Sequence, residues 1–135
     1  MNYWLVKSEP DVYSYEDLVK DGSTFWDGVR NYAARNNLRD MKKGDLVLYY
    51  HSQTDRAVVG ISKVIKESYQ DPTTDDDRWV AVDIAPVEKF DRPVTLKEIK
   101  AEDSLQQIAL VRQSRLSVMP LEKAAFDKIV GMGKD

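Results

Sequence analysis

Hydrophobic positions recur along this chain at two spacings, and the two divide it into strands and helices. Residues 2–7 (NYWLVK) are aromatic and β-branched, as a strand requires, and Pro10 ends the run because its missing N–H would interrupt a central ladder. In DLVLYYHS, Leu46, Leu48 and Tyr50 alternate with Val47, Tyr49 and His51, the period of a strand with two distinct faces. A turn at Asp55 and Arg56 leads into a strand over roughly 57–66, antiparallel because the connection is short. WVAVDIAPVEKF at 79–90 reads as a third long strand, and RLSVM at 115–119 as another.

Helices are announced by their caps. Ser14 with Asp17 opens a short helix through Leu18 and Val19 that closes at Gly22. After a loop carrying Phe25, Trp26 and Gly28, Asn31 caps a helix whose apolar stripe is Ala34, Leu38 and Met41, stopped by Gly44. Thr95 with Glu98, and Ser104 with Gln107, match capping boxes and predict two short helices in 95–110. Pro120 suits the first turn of a last helix with Leu121, Ala125 and Ile129 on one stripe. Residues 67–77 hold five acids, no base and Pro72, the composition of a solvated loop that negatively charged partners should avoid. Five strands with helices between them predict an α+β fold on a curled sheet or small barrel, with any pocket at its mouth.

At 135 residues, with no linker-like tract and no internal repeat, the chain is expected to form one domain over 1–135. The absence of Cys excludes disulfides, thiolate metal sites and cysteine nucleophiles, and a single His excludes a multi-His metal site. No cofactor or metal is expected. No apolar run approaches the ~20 residues of a membrane span, and an acid stands where a signal peptide would continue apolar. A cytoplasmic protein without a membrane partner is expected. The net charge of −3 rules out a coat held to nucleic acid by overall charge, so any basic patch is local.

Motifs with well-defined mechanics are missing: there is no GxSxG, GxxxxGK[ST], GxGxxG or HExxH. The plain reading of His51 is a strand-end imidazole satisfied by a backbone group. More informative is FWDGVRNYAARNNLR at 25–39, where aromatics, a Gly and three Arg residues gather around one helix start. Residues 28–43 carry five bases and one acid, a local +4 that the acids of 67–77 offset. Arg35 and Arg39, one and two turns into the helix, can reach one ligand, while Trp26 and Tyr32 offer rings for stacking. A solvated helix face beside core aromatics is the competing reading of the same segment.

The strings YWLVKSEP at 3–10, WDGVRNYAARN at 26–36, YHS at 50–52 and RLSV at 115–118, in that order, resemble the EVE domain family. GDLVLYYHS and DPT at 71–73 fit the same pattern, so the resemblance covers essentially the whole chain. It implies a PUA-like pseudobarrel of five or six mostly antiparallel strands with short helices inserted, related to YTH domains that read N6-methyladenine in RNA. Its pocket would accept a nucleobase turned out of its strand. Carried onto this sequence, the blocks place Trp4, Lys7, Ser8, Glu9, Trp26, Gly28, Val29, Asn31, Tyr50, His51, Ser52 and Ser117 at a base pocket, with Arg30, Arg35 and Arg115 as phosphate ligands. The leading expectation is a non-enzymatic, monomeric reader of 5-methyl- or 5-hydroxymethylcytosine, in DNA before RNA. Alternatives are an RNA-binding module, an enzyme using Glu9, Asp27 or His51 as acid or base with Lys7 or Ser8 as nucleophile, and an interaction module that uses the acidic loop. The chain starts two residues before its first predicted strand, without the basic extension of eukaryotic members, which is expected of a stand-alone prokaryotic protein outside any nucleus.

Overall fold

The computed structural model describes residues 1–53 and 56–134. Asp55 of the predicted turn lies outside the described residues. Six strands form one mixed sheet: β1 (Tyr3–Ser8), β2 (Thr24–Trp26), β3 (Leu46–His51), β4 (Ala57–Gln70), β5 (Val80–Thr95) and β6 (Val118–Leu121), in the order β2-β5-β4-β3-β1-β6. Only β1 and β3 run parallel. The helices are α1 (Tyr15–Asp21), α2 (Tyr32–Asp40), α3 (Leu96–Ala101), α4 (Ala109–Arg112) and α5 (Lys123–Met132), with a 3₁₀ turn at Asp103–Leu105. This is the α+β class expected, with mostly antiparallel strands and short inserted helices.

Local chemistry sets most boundaries. Ser14 Oγ accepts from the Asp17 amide at 3.0 Å, and Asp17 Oδ2 accepts from the Ser14 amide at 2.9 Å, closing the predicted box at the start of α1. Gly22 ends that helix at φ 81°, a left-handed turn that suits a residue without Cβ. Asn31 Oδ1 accepts from the Ala34 amide at 3.0 Å, and Ala34, Leu38 and Met41 are fully buried.

Four expectations are corrected, the first three by the way strands assemble into the sheet and the last by a local bond. The loop around Phe25 contains β2, an edge strand whose ladder to Val82–Ile84 of β5 no three-residue pattern can announce. Both faces of β3 are buried, because it lies inside the sheet with Tyr49 against Tyr15, Trp26 and His51. Pro120 belongs to β6 rather than to a helix; β6 is the other edge strand, where a missing N–H is tolerated. Ser104 does not cap: the Glu102 carboxylate instead accepts from the Ser104 amide at 3.0 Å and hydroxyl at 2.8 Å.

Strands β4 and β5 outrun their predicted limits and carry four register shifts, which increase local twist and curl the sheet. Within β4, Gly60 is a position of close approach. A Cβ there would meet the Tyr15 ring at 2.6 Å, and that ring is held by its hydroxyl, which donates to the Ile61 carbonyl at 2.6 Å. Gly60→Ala should therefore cost about 3 kcal/mol by overpacking, read as a lower denaturant midpoint at unchanged m-value.

Candidate functional site

Because β1 and β3 are parallel, their C-terminal ends emerge side by side, with Lys7 opposite Tyr50 and Ser8 opposite His51. The Lys7 amide also donates to the Ser117 carbonyl at 2.9 Å, so three of the sequence blocks meet at this end of the sheet. The chain leaves β1 through a turn in which the Glu9 carbonyl accepts from the amides of Val12 and Tyr13. The opposite wall comes from β2 and the loop after it. There Gly28 adopts φ 73° and its amide donates to Asp71 Oδ2 at 2.9 Å.

Between these walls lies a hollow of about 630 Å³, within the range of roughly 300–1,000 Å³ usual for small-molecule and cofactor sites. Lys7, Ser8, Glu9, Trp26, Gly28, Val29, Asn31 and Ser117 of the predicted base pocket line it, together with Arg30. Trp26 is half-buried and packs edge-on against Tyr49, with ring centroids 5.5 Å apart, so its indole is braced from within the core. Asn31 Oδ1 is committed to capping α2, while its side-chain nitrogen makes no hydrogen bond among the described residues. Ser8 Oγ donates to the Tyr13 carbonyl at 2.6 Å, which leaves the hydroxyl only acceptor capacity.

Several other predicted residues lie elsewhere. Trp4 is buried, its indole N–H donating to Asp45 Oδ2 at 2.9 Å. His51 is buried too, and its Nε2 accepts from the Tyr15 amide at 3.0 Å, the backbone-satisfied role that its strand-end position suggests. Tyr50 and Ser52 line a second hollow, Arg115 a third, and Arg35 none. The Arg35 guanidinium lies 5.0 Å over the Tyr32 ring and donates to the Arg78 carbonyl and Asn36 Oδ1. Tyr32 stacks on Trp79 instead of facing the first hollow, with centroids 5.2 Å apart. Arg39 is exposed and lines no hollow, so the two helix arginines do not converge on one ligand there.

The 67–77 segment is not a solvated loop throughout, because Asp71 is fully buried. Its carboxylate accepts from the Gly28 amide, from Arg30 Nη1 at 3.0 Å, and from the Thr73 amide and hydroxyl. Burial pushes this carboxyl up, but the bonds from Thr73, Arg30 and Gly28 outweigh it and bring the pKa down to about 2. The local charge of 28–43 is thus offset by direct contact, and Arg30 reaches the hollow with its guanidinium already engaged.

Val12, Tyr13 and Thr24, which sequence reasoning missed, complete the lining with Phe25, expected only as a loop aromatic, and Asp27, expected only as an acid or base of the enzyme alternative. Phe25 alternates with Trp26 along β2 and is exposed. Asp27 makes no hydrogen bond or ion pair among the described residues, so its carboxylate is an open acceptor. Glu9 Oε1 accepts from Gln53 Nε2 at 3.2 Å. Burial lowers the pKa of the Lys7 ammonium, which donates to the Ser114 carbonyl at 2.7 Å. No group of three or more His, Asp or Glu among the described residues could hold a metal ion, and no helix among them is long and apolar enough to cross a membrane.

A hollow with one braced indole, open acceptors and nearby cations thus sits at one end of a mixed α+β sheet. The sequence profile of the EVE domain family matches residues 2–132, and the chain belongs to that family. Mouse thymocyte nuclear protein 1 is 36% identical to it, over 97% of this chain and 73% of that protein. A crystal structure of a protein from Agrobacterium tumefaciens superposes with a TM-score of 0.97 at 43% identity, covering 98% of this chain and 93% of that one. The crystal structure of human THYN1 protein in complex with 5-methylcytosine-containing DNA superposes with a TM-score of 0.92 at 32% identity, covering 100% of this chain and 99% of that chain.

Proposed function

We propose that this protein is a non-catalytic reader of DNA that takes a modified cytosine, flipped from its strand, into the hollow between β1 and β2. The observation that carries the reading is the pairing of the braced Trp26 ring with the open Asp27 carboxylate in one hollow. An indole offers a stacking surface for any base. A carboxylate accepts from the exocyclic amine of cytosine, whereas it would repel a phosphate. The human relative bound to 5-methylcytosine-containing DNA supports the same ligand class.

The energetics favour discrimination over brute affinity. Extruding a base costs a few kcal/mol, and stacking on an aromatic ring returns ~1–3 kcal/mol. A 5-methyl group has Val12, Phe25 and Val29 as apolar neighbours in the lining, and one methyl in such surroundings is worth ~1–3 kcal/mol, or roughly 10–200-fold. Titrating matched duplexes with cytosine or 5-methylcytosine at one site should show that preference. Equal affinities across a range of salt concentrations would refute the reading, and a matched RNA competitor that binds as well as DNA would move the substrate class.

A further inference from the structure

The first hollow is not isolated. A second, of about 320 Å³, and a third, of about 350 Å³, share its walls: Lys7 lines the first and second, Asn31 the first and third, and Ser114 the second and third. The hydrogen bond from Lys7 Nζ to the Ser114 carbonyl fixes the point where the first two adjoin. The three differ in charge. The first has Glu9 and Asp27 in its lining beside Lys7 and Arg30, whereas the second has Lys7 and Arg56, the third has Arg112 and Arg115, and neither has a carboxylate among the described residues of its lining.

The arginines also differ in what they already hold. Arg30, Arg35 and Arg78 are engaged by Asp71, by the Arg78 carbonyl and by Asp76, respectively. Arg56 and Arg115 are exposed and make no side-chain hydrogen bond or ion pair among the described residues. Arg112 is held in place by the Gln106 carbonyl and Gln107 Oε1. Guanidinium groups that hold no partner among the described residues, in concave surroundings, suit phosphate oxygens, for which a planar fork of donors is matched in shape and charge.

The geometry points to a backbone track: with the base in the first hollow, the flanking phosphates of the same DNA strand occupy the second and third hollows, on Arg56 and Arg115. This rests on the base reading of the first hollow, and it moves the phosphate role from Arg30 and Arg35 to arginines that hold no side-chain partner among the described residues. Among the described residues the lining carboxylates are thereby confined to the base hollow, while the two phosphate hollows carry cations alone.

The test is the salt dependence of binding by the full chain to a 5-methylcytosine duplex. Arg56→Gln and Arg115→Gln should each reduce the slope of log K against log salt by about one. Each should weaken modified and unmodified duplexes by the same factor, leaving their ratio unchanged. Arg115→Lys should restore the slope, which separates charge from folding, and Arg39→Gln, outside all three hollows, should leave it as in the parent. Unchanged slopes in both Gln variants overturn the track, even if the preference for modified cytosine persists and the base reading survives. If instead the slopes fall while that preference is absent, Arg56 and Arg115 meet phosphates but the base reading fails, and the track around the first hollow is overturned with it.

Discussion

Asp71→Asn should lower stability by about 2–3 kcal/mol, or roughly 8–15 °C in Tm, and should weaken DNA binding although Asp71 lies outside the lining of the hollow. The carboxylate is fully buried and serves four donors from three residues, so an amide of the same size leaves at least one buried group unsatisfied. The Arg30 side chain is 41% exposed and can turn to water, which keeps the cost below that of a wholly buried ion pair. The Gly28 amide is bonded to the same carboxylate, and its release loosens the loop that carries Trp26 and Asp27 into the site. Acid titration gives a second reading of the same contact. A carboxyl at about 2 in the folded protein, against ~3.9 when unfolded, contributes stability that is complete above the unfolded value and disappears as pH falls toward 2. Thermal melts from pH 5 down to pH 2 should fall more steeply for the parent than for Asp71→Asn, and identical curves would show that the contact contributes nothing.

That interaction also marks where the sequence stops being legible. The boxes at Ser14 and Thr95 and the cap at Asn31 are closed within four residues, so composition and spacing reveal them. Asp71 and Arg30 are 41 residues apart, and Trp4 and Asp45 are as far from each other. Nothing local distinguishes these acids from solvated ones, since burial of a charge is decided by which partner the fold delivers. The same holds for β2, which is a strand because β5 lies alongside it, and for Pro120, which is accommodated because nothing pairs beyond β6.

At the site, the residues readable from the sequence are those at the ends of elements. Lys7, Ser8 and Glu9 leave β1, and Trp26, Gly28 and Asn31 join β2 to α2. Trp4, Tyr50 and His51 belong to the same blocks but are buried in the core, although His51 ends β3 directly opposite Ser8, which ends β1. Arg35 has the right charge at a neighbouring position, yet Tyr32 and Trp79 draw it into a cation–π stack away from the hollow.

Trp26→Ala should weaken binding to a 5-methylcytosine duplex by about 5–150-fold, the ~1–3 kcal/mol of one base–aromatic stack. The loss should be similar for unmodified DNA, because a ring stacks on any base, whereas Asp27→Ala should penalise cytosine derivatives relative to thymine, which lacks the exocyclic amine. Trp26 also packs on Tyr49, so part of any loss could come from a disturbed core. Trp26→Phe separates the two effects by keeping an aromatic ring in the braced position, and it should retain most of the affinity at nearly parental stability. Single-stranded probes sharpen the measurement further. They need no unpairing, so the parent should bind a single strand with a smaller extrusion cost than the duplex, and the Ala variant should lose affinity for both by the same factor. If Trp26→Ala binds both probes as the parent does, no base stacks on that indole, and the hollow between β1 and β2 has some other occupant.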